Sequence, residues 1–267
     1  MKMSLAVLLL SSAAVFGGEL PEIYDKPWTA WYSGYEGKTF HFGVDSDGEA
    51  SLIPIDEKSE ERVSQHSWIT IKPVVQEVYS SGKVSNKKPT EDGWEALTPE
   101  TTEAEKVHFR GTVTGGAKYE VLFEIDGDEV YATGKILDKG ELTKNPIRMA
   151  FRVTVANSYR HTKDEDDLEE KIKDDRFNFV MANKKKAKFK GGVPEDEVAK
   201  ECKEISSVKA EISYYKGGKI EIDGGGIGVM EIEDPKSAPI AQGFTLVWVP
   251  DPAKDKDGKG RMMLKYK

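Results

Sequence analysis

Between Lys106 and Asn157 apolar and polar side chains alternate almost without a break, the period of β-strands with one buried face. Val107, Phe109, Gly111 and Val113 share one face, with His108, Arg110, Thr112 and Thr114 on the other. After Gly115-Gly116, Tyr119, Val121, Phe123 and Ile125 oppose Glu120, Leu122 and Glu124. A strand at Val130–Leu137 follows, and then Ile147, Met149, Phe151, Val153 and Val155 against Arg148, Ala150, Arg152 and Thr154. This is the signature of an antiparallel sheet with one dry and one wet side.

The same alternation constrains pairing, because residues opposite each other share a face. Both Val107–Thr114 and Lys118–Ile125 carry apolar residues at odd numbers, so the loop between them has odd length. Gly115-Gly116-Ala117 as a three-residue loop satisfies this and sets Phe109 against Phe123 and His108 against Glu124. In the next strand the apolar set moves to even numbers, Val130, Ala132, Gly134 and Ile136, which requires an even loop. Gly127-Asp128 as a two-residue turn, glycine first, places Tyr131 beside Glu124. Asp126-Gly127 gives the same parity with a shifted register. The wet face then carries the rows His108–Glu124–Tyr131, Arg110–Leu122–Thr133 and Thr112–Glu120–Lys135. Phe123 and Phe151 are expected in the core, and Glu120, on the wet side, is expected to tolerate truncation at a cost within about 1 kcal/mol.

Elsewhere the pattern predicts further strands. Thr39–Val44 and Glu49–Ile55 flank Asp45-Ser46-Asp47-Gly48 as a hairpin, and Ser67–Tyr79 is a long strand bent at Pro73. Periodicity fails over 80–105, an expected exposed loop in which Trp94 either folds back onto the sheets or meets a ligand. A helical and charged insertion is expected over 161–205. Its first helix follows Asp164–Asp167, and its second, Pro194–Ile205, has Val198, Cys202 and Ile205 as its apolar stripe. Between them Lys184, Lys185, Lys186, Lys188 and Lys190 form a basic strip, read first as an edge-protecting hairpin tip and second as a polyanion contact. Strands return at Ser207–Tyr215, Lys219–Asp223, Ile227–Glu233, Gly243–Pro250 and Gly260–Tyr266. The predicted fold is all-β: a large antiparallel β-sandwich, of jelly-roll or supersandwich type, with two short surface helices.

Met1–Gly17 begins with a lysine, continues with an apolar run at Leu5–Leu10 and closes on small residues. That is the plan of a cleavable signal peptide, cut at Gly17–Gly18 or Gly18–Glu19, and it predicts a secreted or periplasmic protein. The run is too short to span a bilayer as a helix, and no later segment does so. Residues 18–267 are then expected to form a single sandwich domain. The formal net charge of −8 argues against general nucleic-acid binding. With one cysteine, Cys202, no intrachain disulfide can form, and that cysteine reads as a buried helix residue. The rings of Glu19–Phe40 suit either a docked N-terminal segment or contact with a sugar.

No nucleophile elbow, zinc-protease helix, P-loop or dinucleotide fingerprint is present. His41, His66, His108 and His161 lack metal-ligand spacing, and two D-x-D-G stretches, Asp45–Gly48 and Asp255–Gly258, lack the remaining ligands of a calcium loop. No cofactor or metal is expected. The candidate ligand-binding residues are therefore His108, Arg110, Glu124 and Tyr131 on the wet face. Planar polar groups beside a ring suit a carbohydrate, whereas a charge ladder there would serve solubility. The leading expectation is a non-catalytic carbohydrate-binding or cell-envelope-associated module. A structural or protein-interaction domain is the alternative, and a sugar-active enzyme of epimerase or lyase type comes third, since no catalytic carboxylate pair stands out.

Overall fold

The alternating stretch folds as four antiparallel strands inside a larger all-β architecture. The computed structural model describes residues 19–267 except 57, 217, 252, 256, 257 and 259. The expected leader Met1–Gly17 lies outside the described residues, as do Lys256 and Asp257 of the second D-x-D-G stretch.

In chain order the early strands are β1 (Trp31–Glu36), β2 (Phe40–Asp45), β3 (Ala50–Asp56), β4 (Glu61–Arg62), β5 (Ile69–Val78), β6 (Val84–Lys87) and β7 (Glu95–Ala96). The central group is β8 (Lys106–Thr112), β9 (Lys118–Asp126), β10 (Glu129–Asp138) and β11 (Ile147–Ala156). Helix α1 (Glu165–Ile172), β12 (Arg176–Met181), β13 (Lys186–Lys190) and helix α2 (Glu195–Glu201) follow. The chain ends with β14 (Ile205–Glu211), β15 (Lys219–Asp223), β16 (Gly228–Ile232), β17 (Gly243–Pro250) and β18 (Arg261–Tyr266).

Their ladders make two large antiparallel sheets. One runs β1-β2-β3-β5-β11-β17-β16. The other runs β7-β8-β9-β10-β18-β15-β14-β12-β13. Ile205 with Met230 joins them at one side, and the segment after β6 joins the end of β8 at another, where Pro89 bridges Val113 and the Thr90 amide donates to the Thr112 carbonyl. Their apolar faces meet in a shared core where Phe42 and Phe151 of the first sheet pack against Phe123 of the second, with ring centroids 5.7 and 6.3 Å apart. Phe177 meets Phe244 across the same gap at 5.9 Å. Phe123 and Phe151 are fully buried, as the alternation predicts. This is the large antiparallel sandwich with two short helices that the pattern implies.

Several local expectations resolve on the same principle of burying rings and pairing backbone. Trp94 folds back: it is buried against Phe109 and Tyr119. Trp28, Tyr32 and Phe40 dock the N-terminal segment, while Tyr24 stays exposed. Pro73 falls where β5 passes from its pairing with β3 to its pairing with β6, a gap in that ladder that tolerates a missing N–H. Cys202 caps α2 and is buried, and burial pushes its thiol up to about 11. Ile205, expected on the α2 stripe, instead begins β14.

Candidate functional site

The wet face of the second sheet is set by three adjacent ladders. In β9–β10 the pairs are Glu124–Tyr131, Leu122–Thr133 and Glu120–Lys135, the register that the Gly127-Asp128 turn predicts. Gly127 has φ 60 and Asp128 is not among the positive-φ residues, as a type II′ turn requires. In β8–β9 the parity holds but the register is displaced by two residues: Lys106 faces Glu124, His108 faces Leu122 and Arg110 faces Glu120. The hairpin closes on Val113 and Ala117, so its three-residue loop is Thr114–Gly116 rather than Gly115–Ala117. The expected His108–Glu124–Tyr131 row is thus corrected to Lys106–Glu124–Tyr131. Strand β18 extends the face, setting Met263 against Tyr131 and Arg261 against Thr133.

The resulting central row is His108–Leu122–Thr133–Arg261, four strands and about 14 Å across at ordinary strand spacing. Around it lies an open cleft of about 390 Å³, with Glu124 at one end, Glu120 and Lys135 at the other, and Gly258 at its rim. Of the four residues singled out from sequence, His108 and Glu124 line this cleft. Arg110 lines a neighbouring depression of about 270 Å³ with Glu95 and Lys118. Tyr131 lies under the Arg261 guanidinium, 4.1 Å from its ring centroid, and its hydroxyl donates to Glu129 rather than turning to Glu124.

Glu120 is the electrostatic hub. Its side chain is 13 % exposed and meets Arg110 Nε at 2.8 Å, Lys135 Nζ at 3.0 Å and His108 Nε2 at 3.4 Å. Burial alone would raise its pKa. The hydrogen bonds from Lys135 and Arg110, the charge of Lys135 and the His108 contact outweigh that and hold it down at about 2. Arg110 also reaches Glu95 at 3.3 Å, and the paired carboxylates raise the guanidinium pKa further. Glu124, by contrast, is 41 % exposed, and among the described residues its one ion-pair partner is Lys106, at 3.8 Å. Its oxygens face the cleft largely free of protein partners, as a binding group needs.

Sequence reasoning missed Glu120 as the hub and missed Arg261 altogether. The former depended on a two-residue register shift, the latter on a strand more than 120 residues away in sequence. It also missed that His66 and His161 come together, with ring centroids 6.0 Å apart. Among the described residues no group of three or more His, Cys, Asp or Glu side chains converges on a metal-sized site. In the first D-x-D-G turn, Asp45 Oδ1 accepts from the Asp47 and Glu49 amides, and burial pushes its carboxyl up to about 6. In the second, Asp255 Oδ1 accepts from the Gly260 amide.

No protein-family model and no curated protein sequence matches the chain. Among solved structures, the chain is similar to an α-N-acetylgalactosaminidase of Bifidobacterium bifidum in its Gal-NHAc-DNJ complex, at a TM-score of 0.48 and 11% identity, over 88% of this chain and 35% of that one. It is also similar to a candidate aldose 1-epimerase of Escherichia coli K12, at a TM-score of 0.43 and 9% identity, over 88% of this chain and 98% of that one. The chain therefore spans about a third of the galactosaminidase's length. Likeness at this level concerns gross strand arrangement and not chemistry.

Proposed function

We propose that the protein is an exported, non-catalytic carbohydrate-binding module whose ligand lies along the His108–Leu122–Thr133–Arg261 row. The observation that carries this reading is the make-up of the cleft floor. Leu122 offers an apolar patch at its centre, and a donor-and-acceptor set surrounds it: the His108 ring, the Thr133 hydroxyl, the Glu124 carboxylate and the Lys135 and Arg261 cations. A saccharide presents an apolar C–H face ringed by hydroxyls, so one group of each kind finds a partner here. The volume lies in the range of small-ligand sites, about 300–1,000 Å³.

The state of Glu120 favours binding over turnover. A carboxylate held down at about 2 by Lys135 and Arg110, with a hydrogen bond from His108, stays ionised at neutral pH and is a weak base, so it fixes its neighbours instead of exchanging protons. The glycan-array test uses the purified protein with and without EDTA, then His108→Ala, Glu124→Gln and Arg261→Ala. Binding to a defined glycan that EDTA leaves intact and that each substitution weakens at least about fivefold supports the reading. Indifference of a bound glycan to all three substitutions would place its site elsewhere, and turnover of that glycan would make the protein an enzyme. Export is tested separately by intact mass: secreted material is expected to begin at Gly18 or Glu19, and soluble protein retaining Met1–Gly17 would end that part of the proposal.

A further inference from the structure

The far edge of the second sheet breaks the pairing of lysines with carboxylates seen on the rest of its wet face. From β8 to β14 five outward lysines are matched: Lys106 with Glu124, Lys135 with Glu120, Lys265 with Glu129, Lys209 with Glu221 and Lys219 with Glu211. Among the described residues strand β13 pairs only with β12 and forms the edge. Its outward positions, Lys186, Lys188 and Lys190, are all exposed, and the turn before it adds Lys184 and Lys185. Among the described residues, none of these five lysines makes an ion pair with a carboxylate.

The register makes the concentration of charge worse. Lys190 sits directly opposite Arg176, a like-charge pair that destabilises a ladder, although Arg176 has Glu211 opposite it on its β14 side, and Lys188 sits opposite Asn178 rather than an acid. Arg176 is held there, its Nη1 donating to the backbone oxygens of Lys173 and Asp175 at 2.8 Å. Edge lysines shield a strand against strand addition, but that role does not call for five of them to go without acidic partners. In a chain of formal net charge −8, this is a segregated cationic strip.

We infer that this strip is a binding site for a linear acidic polysaccharide, one bearing carboxylate or sulfate groups along its length. Lysines on alternate residues of a strand stand about 6.8 Å apart in a line, which suits a polymer with repeating anions. The outward positions carry no aromatic platform: Phe177 and Phe179 are buried inward, and Phe189 packs on Phe179 at 5.9 Å. Single-stranded nucleic acid needs such a platform to stack on. The strip also offers no exposed apolar wedge for a bilayer, and a flat anionic membrane would meet the repulsion of the acidic remainder, whereas a single polymer chain touches only the edge. The site is independent of the proposed glycan cleft, which lies at the other side of the sheet.

The test is retention of the purified protein on immobilised heparin and polygalacturonate, with dextran as the uncharged control, from about 50 mM to about 200 mM NaCl. Retention on at least one polyanion and not on dextran is expected. The K186Q/K188Q/K190Q variant should weaken it at least about tenfold and flatten the log K against log salt slope by about 2. K188E alone, a single exposed change, should weaken it by about threefold or more and guards against misfolding of the triple variant. His108→Ala and Glu124→Gln should leave it unchanged, so failure of the cleft reading and failure of this one are distinguishable. The inference is overturned by equal retention of parent and lysine variants, by no retention on either polyanion, or by tighter binding to oligo-dT or to phosphatidylglycerol vesicles.

Discussion

Strand β9 has a hairpin on each side, and the two hairpins obey the same parity but differ in what fixes their register. On the β10 side parity allows Gly127-Asp128 or Asp126-Gly127, and the observed II′ turn with glycine first sets Glu124 opposite Tyr131. On the β8 side, Thr114-Gly115-Gly116 and Gly115-Gly116-Ala117 are both odd loops with a glycine free to take positive φ. Side-chain alternation cannot choose between them, because a shift of two keeps every residue on its own face. Distant segments choose. Thr114 donates its amide to Lys88, the Glu141 amide donates to Gly115, and a Cβ on Gly115 would stand 2.6 Å from Leu142. Val113 and Ala117, the closing pair, are both buried. A short turn carries its register locally, whereas a permissive loop takes its register from what packs on it.

The sharpest way to break this comparison is all-or-none. Directly opposed residues bring Cα atoms within disulfide range, and a diagonal offset of two does not. Cysteines at positions 108 and 122 should therefore oxidise readily, and cysteines at 108 and 124 should not; the reverse result would restore the displaced register. The next largest effect falls on the strand both hairpins share. Phe123→Ala should cost about 3–5 kcal/mol in urea melts, since Phe123 contacts Phe42, Phe109 and Phe151 in the core.

Glu120 comes third, and its value depends on the observed register. With Arg110 and Lys135 paired to it and His108 in contact, Glu120→Gln should cost on the order of 2 kcal/mol near pH 7, more than its wet-face position alone implies. Its folded pKa lies below its ordinary value of 4.5, at about 2, so its contribution is complete above about 5 and is lost as pH falls through that window. Melting midpoints of the parent should drop over that range by more than those of the Gln variant; parallel curves would show that the hub contributes nothing. The smallest effect is at Glu124, 41 % exposed, where Gln should change stability by less than about 0.5 kcal/mol. A larger loss there would argue for the His108–Glu124 pairing after all.

The sequence by itself missed β6 and β7, which lie in the stretch read as an exposed loop. It determined the central strands, which face of each is dry and the core phenylalanines, and it narrowed the β9–β10 register to two turns of like parity. Those depend on a period of two and on a turn two residues long, both local properties of Lys106–Leu137. It also marked His108 and Glu124, because polar residues at even numbers in β8 and β9 must face out together. Only the tertiary structure decided their neighbours. Arg261 reaches the cleft because β18 pairs with β10, and Glu120 gathers His108, Arg110 and Lys135 because segments near residues 88 and 140 lock the Thr114–Gly116 loop. The cationic edge shows the same division. Its lysines are plain in the sequence, but that they lie unmatched beside Arg176 follows from the β12–β13 ladder. Which face a side chain takes is set within its own strand, and which charges it meets is set by the strands that pack beside it.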